Sequence, residues 1–504
     1  MSQRLFQLNC LGSKETGLAI FNKMLSTSVA YQKFITKKLH VDYEIFTSTP
    51  AINWDIIPII NKKTFYAVYT WDEIIPPELK NNIYAIFRSS GSSSNGLKNA
   101  FYWPQLKSND QDSISCYQQL VKKTFNLTNK RTLFIMGLNL GSWAGGIHIS
   151  YVLKNVALLS DVNMTLYTPG NQLNEILDAI VNFQSDYEQI IIAMSPSAIA
   201  YLEITANELQ LSILWKKISY FVTGEPFSEE NRLRRKLAYQ HTLTDLTMLG
   251  VYSSADTGPL GYETLPLIQL RQFLTQNKTI AQKLGFEQTI PNMYHALTEG
   301  CYLEKINDEL IITKWQGLPL IRYNLEDKIE MISWKGICNA IATLDKKNIE
   351  MWQNFSMLGL PDILVVYGRA NGCIFLTSSN IYETILSEVT NQSKTFNKLS
   401  NGVFVVWKAT ENTSAEVLHW QIELKQGQEQ PTKEEINQLY FELVKYMGEH
   451  QSGFLTNYEK LYQRFDGTDS QIFKFHFCKN THLSNHALLS QSIKNKIIIE
   501  NGPL

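Results

Sequence analysis

The sequence lacks the cysteine pattern of a metal site. Its cysteines are far apart, form no CxxC pair and make no Cys/His cluster at metal-ligand spacing; they are Cys10, Cys116, Cys301, Cys338, Cys373 and Cys478. Structural zinc needs four such ligands close together. We therefore expect no zinc site, and thiols that are reduced and buried.

Long apolar runs and an excess of one charge are also absent. No run of ~18 apolar residues could span a bilayer, and the first residues have no apolar core of signal-peptide length. The 46 basic and 47 acidic residues nearly cancel, for a net charge of −1. This balance gives no general case for nucleic acid or anionic membrane as a partner. A soluble, cytoplasmic protein is expected.

The motifs of the common nucleophilic enzymes are missing as well. MSPSA at 194–198 lacks the GxSxG elbow of serine hydrolases, and no cysteine is flanked as a thiol nucleophile would be. The Walker pattern GxxxxGK[ST] is absent too. A serine or cysteine hydrolase and a P-loop enzyme are therefore not expected.

What the sequence does contain is enough apolar material for more than one core. The chain has 504 residues, 44% of them hydrophobic, which predicts two or more domains. From Arg131 onward, short apolar runs alternate with helix-like runs; strands are expected at 131–140, 161–169 and 187–196, and helices at 149–160 and 171–183. This alternation predicts an α/β domain with a substantially parallel sheet.

The pattern changes in the last third of the chain. Residues 363–379 suggest a hairpin around Gly368 to Gly372, followed by a helix, two strands, a helix opened by a Thr/Glu capping pattern and a final strand. This order predicts a small α+β module. We place the boundary near Tyr367, giving domains 1–367 and 368–504.

A Ser-rich segment, FRSSGSSSNGLK at 87–98, lies between two apolar runs. The run before it, NNIYAIF, predicts a buried strand, and NAFYWPQL follows it. Backbone N–H groups of a Gly/Ser loop can converge on an anion, with serine hydroxyls as further donors. The segment predicts a phosphate-binding loop, with a Ser-rich surface turn as the alternative.

Two later segments join strands to polar turns. FVTGEPFSEENRLRRK reads as strand, turn and helix, for which a solvated amphipathic helix is the plain interpretation. MLGVYSSADTGPLGYE crowds Ser253, Ser254, Asp256 and Thr257 into one turn. An acid beside hydroxyls at a strand end can hold Mg²⁺ near a nucleotide phosphate. A plain turn with a backbone-capping acid is the alternative.

Two further segments carry single charged residues in apolar or Gly-rich surroundings. In LPLIRYNLEDK, Arg322 lies among apolar residues, so we expect it to be buried against a partner, and Asp327 is a candidate hydroxyl acceptor. In VVYGRANG, Arg369 lies in a Gly-rich turn at the proposed domain boundary.

In this order, the segments resemble the adenylate-forming enzymes, the superfamily of acyl-CoA synthetases and adenylation domains, and most closely the phenylacetate-CoA ligase-like family. SSGSSSNG stands for SSGTTG, TGEPFSEENR for TGEPxxxxxR, YSSADTG for YGxTExG, PLIRYNLED for PLIRYxxxD and GRANG for GRxDD. SWAGGIHI and MSPSA are similar to two substrate-side segments of the family.

The resemblance implies an α/β fold with a large N-terminal domain of packed sheets and helices and a small mobile α+β C-terminal domain. It implies an enzyme that uses ATP and Mg²⁺ to join a carboxylate to the α-phosphate, releases pyrophosphate and passes the acyl group to CoA or another thiol. An amine acceptor, as in the acyl-amido synthetases that share this architecture, is the alternative. The expected partner is a small-molecule carboxylic acid, with a carrier protein or a homodimer as options.

The resemblance also implies roles for individual residues. The phosphate loop would comprise Ser89, Ser90, Gly91, Ser92, Ser93 and Ser94, and further nucleotide contacts would come from Gly224, Glu225, Pro226, Tyr252, Ser253, Ser254, Asp327 and Arg369. The acyl pocket would involve Trp143, Gly145, Gly146 and His148. Asp256 would bind Mg²⁺, and Lys494, with Lys496 in reserve, would reach the α-phosphate and carboxylate. A packing role for His148 and a solvated basic tail around Lys494 are the alternatives.

Three positions depart from the family pattern. Asp256 replaces a glutamate and is one methylene shorter, Ala255 replaces a threonine, and Asn371 replaces an aspartate of the hinge. The cysteine cluster for zinc found in many relatives is missing too. These departures support a second hypothesis, a catalytically impaired relative that binds nucleotide or acyl ligand and has a regulatory or scaffold role.

Overall fold

The computed structural model describes residues 6–40, 53–89, 101–142, 144–159, 161–224, 226–242, 245–286, 290–369, 373–376, 379–410, 416–450, 454, 472–479, 482–483 and 498–499. The strands in the N-terminal part are β1 (Gln7–Leu8), β2 (Cys10–Gly12), β3 (Ile83–Ser89), β4 (Phe101–Leu106), β5 (Thr132–Met136), β6 (Met164–Tyr167), β7 (Gln189–Met194), β8 (Ile218–Val222), β9 (Met248–Ser254), β10 (Gly258–Tyr262), β11 (Asn292–Ala296), β12 (Cys301–Ile306), β13 (Glu309–Lys314), β14 (Leu320–Ile332) and β15 (Ile363–Arg369). Those further on are β16 (Cys373–Leu376), β17 (Ser379–Tyr382), β18 (Ser400–Thr410), β19 (Glu416–Leu424) and β20 (Phe473–Cys478).

The α-helices alternate with these strands. They are α1 (Lys14–Thr27), α2 (Val29–Leu39), α3 (Trp71–Ile74), α4 (Pro77–Lys80), α5 (Lys107–Thr124), α6 (Ala144–Ala157), α7 (Leu173–Phe183), α8 (Pro196–Glu208), α9 (Glu229–Ala238), α10 (Leu265–Gln276), α11 (Lys278–Lys283), α12 (Trp334–Leu344), α13 (Ile349–Ser356), α14 (Glu383–Gln392), α15 (Lys394–Leu399) and α16 (Lys433–His450).

The first half of the main sheet is parallel, as the alternating pattern predicted. Its strand order is β6-β5-β7-β8-β9, and every neighbouring pair is parallel. Strand β7 is buried along its whole length, as an apolar run in a covered parallel sheet should be. Helix α7 buries Leu173, Ile176, Leu177 and Ile180, which is the helical spacing of one apolar face against that sheet.

The second half of the main sheet is antiparallel and shares strand β9 with the first. The order continues as β10-β11-β15-β14-β13-β12-β2. Residues up to Gly250 of β9 pair in parallel with β8, and residues from Val251 pair antiparallel with β10. The parallel pairing of β9 therefore ends at Gly250, four residues before the end of the strand that leads into the polar turn.

The Ser-rich segment connects two strands that pair with each other. Strands β3 and β4 form an antiparallel hairpin whose last pair is Ser89 with Phe101, so residues 90–100 join neighbouring strands and are not a linker between domains. The expectation of a fully buried strand before this segment was wrong. Tyr84 and Ile86 are exposed, because in this two-stranded hairpin alternate side chains face away from the protein.

The C-terminal part forms a second, smaller arrangement. Strands β18, β19 and β20 make one sheet, and β16 pairs with β17. Helix α16 begins with the predicted capping pattern: Thr432 N donates to Glu435 Oε2 at 3.0 Å, and Glu435 N donates to Thr432 Oγ at 3.3 Å. These elements agree with the predicted α+β module, and the exact domain boundary stays a prediction.

The hairpin predicted across 363–379 was wrong. Strand β15 pairs with β11 and β14 in the main sheet, whereas β16 pairs with β17. Residues Ile363 to Val366 are buried, so this run has the character of a central strand and takes neighbours on both sides. Local turn residues could not show which partners were available.

The expectation of buried thiols holds only in part. Cys301 and Cys338 are buried, Cys116 and Cys478 are half-buried, and Cys10 is exposed on short strand β2 at the end of the main sheet. None of the helices in the described part of the chain combines the length and apolar character needed to cross a membrane.

His295 is a buried histidine on central strand β11. Its Nδ1 lies 2.6 Å from Pro361 O and its Nε2 lies 3.0 Å from Thr264 Oγ. A carbonyl can only accept, so Nδ1 carries the proton and Nε2 accepts from the threonine hydroxyl. Burial lowers the pKa of His295 to about 4.

We expect this histidine to make the fold less stable in mild acid. Its folded pKa lies below the unfolded value of 6.5, so the unfolded chain binds more protons and stability falls as the pH drops from about 6.5 toward 4, by about 3 kcal/mol in total. Urea unfolding of the wild type and His295→Asn between pH 7 and pH 4.5 measures this contribution.

His40→Asn is the matched control, because His40 is exposed and asparagine tolerates its left-handed backbone at φ 54°. A smaller wild-type loss in acid than in the His295 variant would contradict the assignment.

Candidate active site

A cavity of about 1220 Å³ opens at the carboxyl ends of the parallel strands. Its wall includes Leu138 and Asn139 after β5, Thr223 and Gly224 after β8, and the end of β9. Ligands in sheets with parallel strands bind at this edge, where loops from several strands converge. Most of the residues that the sequence analysis singled out, and that the structure describes, line this one cavity.

The turn after β8 lies at the cavity wall. Gly224 has φ 89°, a left-handed conformation that glycine adopts without strain. Thr223 Oγ lies 3.1 Å from Ser253 Oγ, so the turn is joined directly to the end of β9. Pro226 lines the cavity, and Ser228 caps α9 by accepting from Asn231 N at 3.2 Å. Glu225 lies outside the described residues.

A buried ion network supports this turn. Arg232 donates to both carboxylate oxygens of Glu263 at 2.7 and 2.6 Å, and it lies 3.1 Å from Glu229. Arg271 on α10 lies 3.0 Å from Glu229 and donates to Phe227 O at 2.5 Å. The interpretation of α9 as a solvated amphipathic helix was therefore wrong. Its charged residues Glu229, Arg232 and Arg235 are almost fully buried, because each has a partner of opposite charge.

The network affects the ionisation of its members. Burial raises the pKa of Glu229, although Arg232 and Arg271 both act to lower it. The pKa of Arg232 is raised: burial is the largest influence and acts to lower it, but the carboxylates of Glu229 and Glu263 outweigh that effect. The guanidinium of Arg232 therefore stays charged in the interior.

The polar turn between β9 and β10 is internally hydrogen-bonded. Thr257 N donates to Ser254 Oγ at 3.2 Å, and the hydroxyls of the two residues lie 2.9 Å apart. Lys314 Nζ, on strand β13 of the same sheet, donates to Thr257 O at 2.7 Å. Tyr252, Ser253 and Ser254 all line the cavity. The structure thus brings these predicted residues together at one wall.

Asp256 is 3% exposed and lies in this turn. Its Oδ2 lies 2.8 Å from Lys62 Nζ and accepts a hydrogen bond from Tyr323 OH at 2.7 Å. Its backbone oxygen accepts from Gln316 Nε2 at 2.5 Å. Asp256 therefore lines the cavity as one half of an ion pair.

Asp327 lies on β14 and contacts the end of β9. It accepts a hydrogen bond from Tyr252 OH, and the ring of Tyr252 stacks on Tyr294 with centroids 5.6 Å apart. Asp327 is also the strand partner of Arg369 on β15. Two residues that the sequence placed in separate motifs are thus neighbours in the sheet, although the side chain of Arg369 lies outside the described atoms.

The predicted acyl-side residues form another part of the wall. Gly145, Gly146 and His148 begin helix α6 and line the cavity. A Cβ at Gly146 would lie 2.0 Å from Asn139 O, so only glycine allows α6 to approach the segment after β5 so closely. His148 lies beside Phe87 of β3, with ring centroids 5.9 Å apart.

Several predicted residues fall outside the described part of the chain. They are Ser90, Gly91, Ser92, Ser93 and Ser94 of the Ser-rich segment, Trp143, Glu225, Asn371, Lys494 and Lys496. For Ser89 the structure gives the backbone alone, as the last residue of β3. Their proposed roles stay predictions.

Arg322 is buried and paired, as predicted. Its Nη1 donates to the backbone oxygens of Trp54, Asp55 and Ile57 at 3.1, 3.3 and 2.6 Å, and its Nη2 lies 3.3 Å from Glu304 Oε1. These bonds tie the segment around residues 54–57 to β14. Arg322 therefore organises the wall of the site and lies outside the set of cavity-lining residues.

Several residues that shape the site were not among the predicted site residues. Lys62, Tyr294, Lys314 and Tyr323 line the cavity, and Glu263 anchors the network beneath it. Lys62 lies in NKKTF, upstream of every motif, so no local pattern marked it. Tyr323 lay inside a quoted motif, but its bond to Asp256 spans 67 residues of sequence.

We expect Arg322→Met to destabilise the N-terminal part by about 3–5 kcal/mol, because it leaves Glu304 and three backbone oxygens buried without their guanidinium. The urea midpoint of the N-terminal unfolding transition, followed by tryptophan fluorescence, measures this loss. Lys305→Met is the control, since Lys305 pairs with exposed Asp308, and it should change stability by at most about 1 kcal/mol. Equal losses in both variants would contradict the role given to Arg322.

No protein-family model matches the chain, and no curated protein matches it. Among solved structures, a 2-hydroxyisobutyryl-CoA ligase in complex with 2-HIB-AMP and CoA aligns with a TM-score of 0.54 and 11% identity, covering 97% of this chain and 89% of the ligase. An acyl acid amido synthetase in complex with 2,4-DB has a TM-score of 0.43 and 12% identity over 97% of this chain and 92% of its own. The amide bond synthetase of Marinactinospora thermotolerans has a TM-score of 0.43 and 11% identity over 79% and 66%. Of the three, only the CoA ligase exceeds a TM-score of 0.5. The chain therefore shares the fold of this CoA ligase, and the α/β fold class predicted from the sequence is confirmed.

Proposed function

We propose that the protein is an ATP-dependent ligase that activates a carboxylate as its acyl-adenylate and passes the acyl group to CoA or another thiol. The observation that carries this proposal is the convergence of four predicted motif segments on one cavity. Its wall contains Gly145, Gly224, Tyr252, Asp256 and Asp327, which come from distant parts of the chain. The similarity of the fold to an acyl-CoA ligase supports it.

The nucleotide fits best between the end of β9 and strand β14. Tyr252, stacked on Tyr294, offers an aromatic surface for a base. The carboxylate of Asp327 can accept hydrogen bonds from ribose hydroxyls. Thr223, Ser253 and Ser254 add hydroxyl donors along the same wall. The predicted phosphate loop would enter from the β3–β4 hairpin.

The reaction asks the protein mainly to position groups and neutralise charge. A carboxylate oxygen forms a bond to the α-phosphorus, the bond from that phosphorus to its bridging oxygen breaks, and pyrophosphate leaves with the electron pair. Such a transfer depends on in-line placement and on positive charge near the phosphate oxygens. We assign the reaching cation to Lys494, whose ammonium would meet the α-phosphate and carboxylate.

The described residues do not fit a Mg²⁺ ion bound directly by Oδ2 of Asp256. Mg²⁺ needs oxygen ligands in a near-ideal octahedron, but Asp256 Oδ2 already faces a lysine ammonium and a tyrosine hydroxyl, which are both donors. No group of three metal-ligating side chains occurs among the described residues. A second cation at this carboxylate would also be repelled by Lys62.

An impaired relative is the second candidate function. The pairing of Asp256 with Lys62 supports it, because that carboxylate is already neutralised. Ala255, which stands where the family pattern has a threonine hydroxyl, supports it too. Such a protein would bind ATP or an acyl ligand without turnover. An amine in place of the thiol acceptor is a variant of the first proposal and shares its adenylation step.

We expect ATP–pyrophosphate exchange in the presence of Mg²⁺ and one class of acid from a panel of aryl and fatty acids. Lys494→Ala should reduce the exchange about 100-fold or more, because one charge-assisted contact in the transition state is lost. Lys445→Ala, at an exposed position of α16, is the control and should leave it unchanged. If no acid of the panel supports exchange but calorimetry still detects ATP binding, the impaired relative becomes the better assignment. The absence of both exchange and ATP binding would contradict both proposals.

We expect the double variant Asp256→Glu with Ala255→Thr to lower the exchange rate. The longer carboxylate would push into Lys62 and Tyr323, which now hold Asp256 at 2.8 and 2.7 Å. The rate relative to the wild type measures this. A large gain would instead show that the native site is impaired, whereas Ala255→Thr alone controls for the added methyl and hydroxyl.

A further inference from the structure

We propose that Lys62 is a built-in cation that neutralises the β- and γ-phosphates of ATP in this cavity, and that Asp256 is its positioning residue. The inference rests on the proposed function, and it assigns the ammonium to the place that a divalent cation would otherwise take. Lys62 belongs to none of the motif segments.

The first observation is the ion pair itself. Lys62 Nζ lies 2.8 Å from Asp256 Oδ2, and the two side chains are 18% and 4% exposed. An ammonium has three N–H donors, and the pair with one carboxylate oxygen needs only one of them. Both residues line the cavity. A charged donor is therefore held at the cavity wall by an acid that is itself almost completely buried.

The second observation is the position of Lys62 beside β4, the strand that follows the predicted phosphate loop in the chain. Its ammonium lies 5.8 Å from the ring centroids of both Phe101 and Trp103 on β4. Phe101 is the first strand residue after 90–100 and pairs with Ser89. Lys62 therefore lies beside the strand at whose start the predicted phosphate loop ends.

The third observation is that the segment carrying Lys62 is built into the sheet. Ile60 pairs with Tyr323: its N–H donates to Arg322 O at 3.1 Å, and its oxygen accepts from Asn324 N at 2.8 Å. Asn61 then caps the single turn of π-helix at Lys62–Tyr66 by accepting from Thr64 N at 2.8 Å. The backbone of Lys62 is thus held against β14, the strand that also supplies Tyr323 to Asp256.

These contacts give Lys62 a fixed place before any ligand enters. A preorganised charge needs no rearrangement when negative charge builds up on the leaving pyrophosphate. Asp256 orients the ammonium, and Tyr323 OH donates to the same carboxylate oxygen, Oδ2. The negative charge that develops on the leaving pyrophosphate is then neutralised by a lysine side chain of the protein itself.

A purely structural ion pair is the competing explanation, and the two differ in what they predict for AMP. AMP lacks the β- and γ-phosphates, so removing a cation that neutralises those groups should weaken the binding of ATP and leave the binding of AMP unchanged. Removing a purely structural ion pair should weaken the binding of both nucleotides, because it would disturb the fold. A variant that removes the Lys62 ammonium and replaces the Asp256 carboxylate with a neutral amide distinguishes the two explanations.

The experiment is titration calorimetry of the full chain with ATP and with AMP, each in EDTA and in Mg²⁺. The variants are Lys62→Met and the double variant Lys62→Met with Asp256→Asn, in which the amide oxygen can still accept from Tyr323. Lys33→Met is the control, because Lys33 forms an ion pair of similar length with Glu73, at 2.7 Å, that is more exposed and lies outside the residues that line the cavity. Thermal unfolding of each variant verifies the fold.

We expect the wild type to bind ATP in EDTA as well as in Mg²⁺. Both Lys62 variants should lose about 10- to 100-fold in ATP affinity, the effect of one hydrogen bond to a charged group, and should keep their AMP affinity. Lys33→Met should bind both nucleotides as the wild type does.

Three outcomes would overturn the proposal. Wild-type binding of ATP that requires Mg²⁺ would do so, as would a folded double variant with wild-type ATP affinity, or equal losses for ATP and AMP. In each of these cases the wild type still binds nucleotide, so the proposed function survives. A wild type that binds neither nucleotide would remove the proposed function and this inference together.

Discussion

The candidate site depends on the buried carboxylate of Glu263, which ties helices to the strand shared by both halves of the main sheet. Glu263 accepts from Gly250 N at 2.6 Å, at the residue where β9 changes from parallel to antiparallel pairing. It also takes both hydrogen bonds from Arg232 on α9. A buried charge is tolerated only with such partners, so strand, helix and turn are placed relative to one another by one group.

A second anchor acts on the opposite wall of the cavity. Arg322 has a left-handed backbone at φ 44° and directs its guanidinium to three carbonyl oxygens of the segment around 54–57. That segment leads through Ile60, paired with Tyr323, to Lys62. The pair of Lys62 with Asp256 then joins this wall to the β9–β10 turn. The two anchors together hold the cavity open between rigid elements.

The elements that sequence reasoning predicted well are those whose signal is local. The alternating runs from Arg131 predicted the parallel strands, and the Thr/Glu pattern predicted the start of α16, because periodicity and capping depend on near neighbours in the chain. The charged face of α9 was predicted to be solvated because its partners are not near neighbours in the chain. Glu263 lies 31 residues from Arg232, and Arg271 lies more than 31 residues from Glu229.

By itself, the sequence determined the α/β class, the order of the motifs and the likeness to adenylate-forming ligases, since each of these is written in short stretches of residue type and spacing. Only the tertiary structure decided that β15 enters the main sheet, that Asp327 and Arg369 are strand neighbours and that Lys62 meets Asp256. Such pairings join residues that are distant in the chain. Which of many possible partners is chosen depends on how the whole sheet packs, because a buried charge is stable only where the fold brings an opposite charge to it.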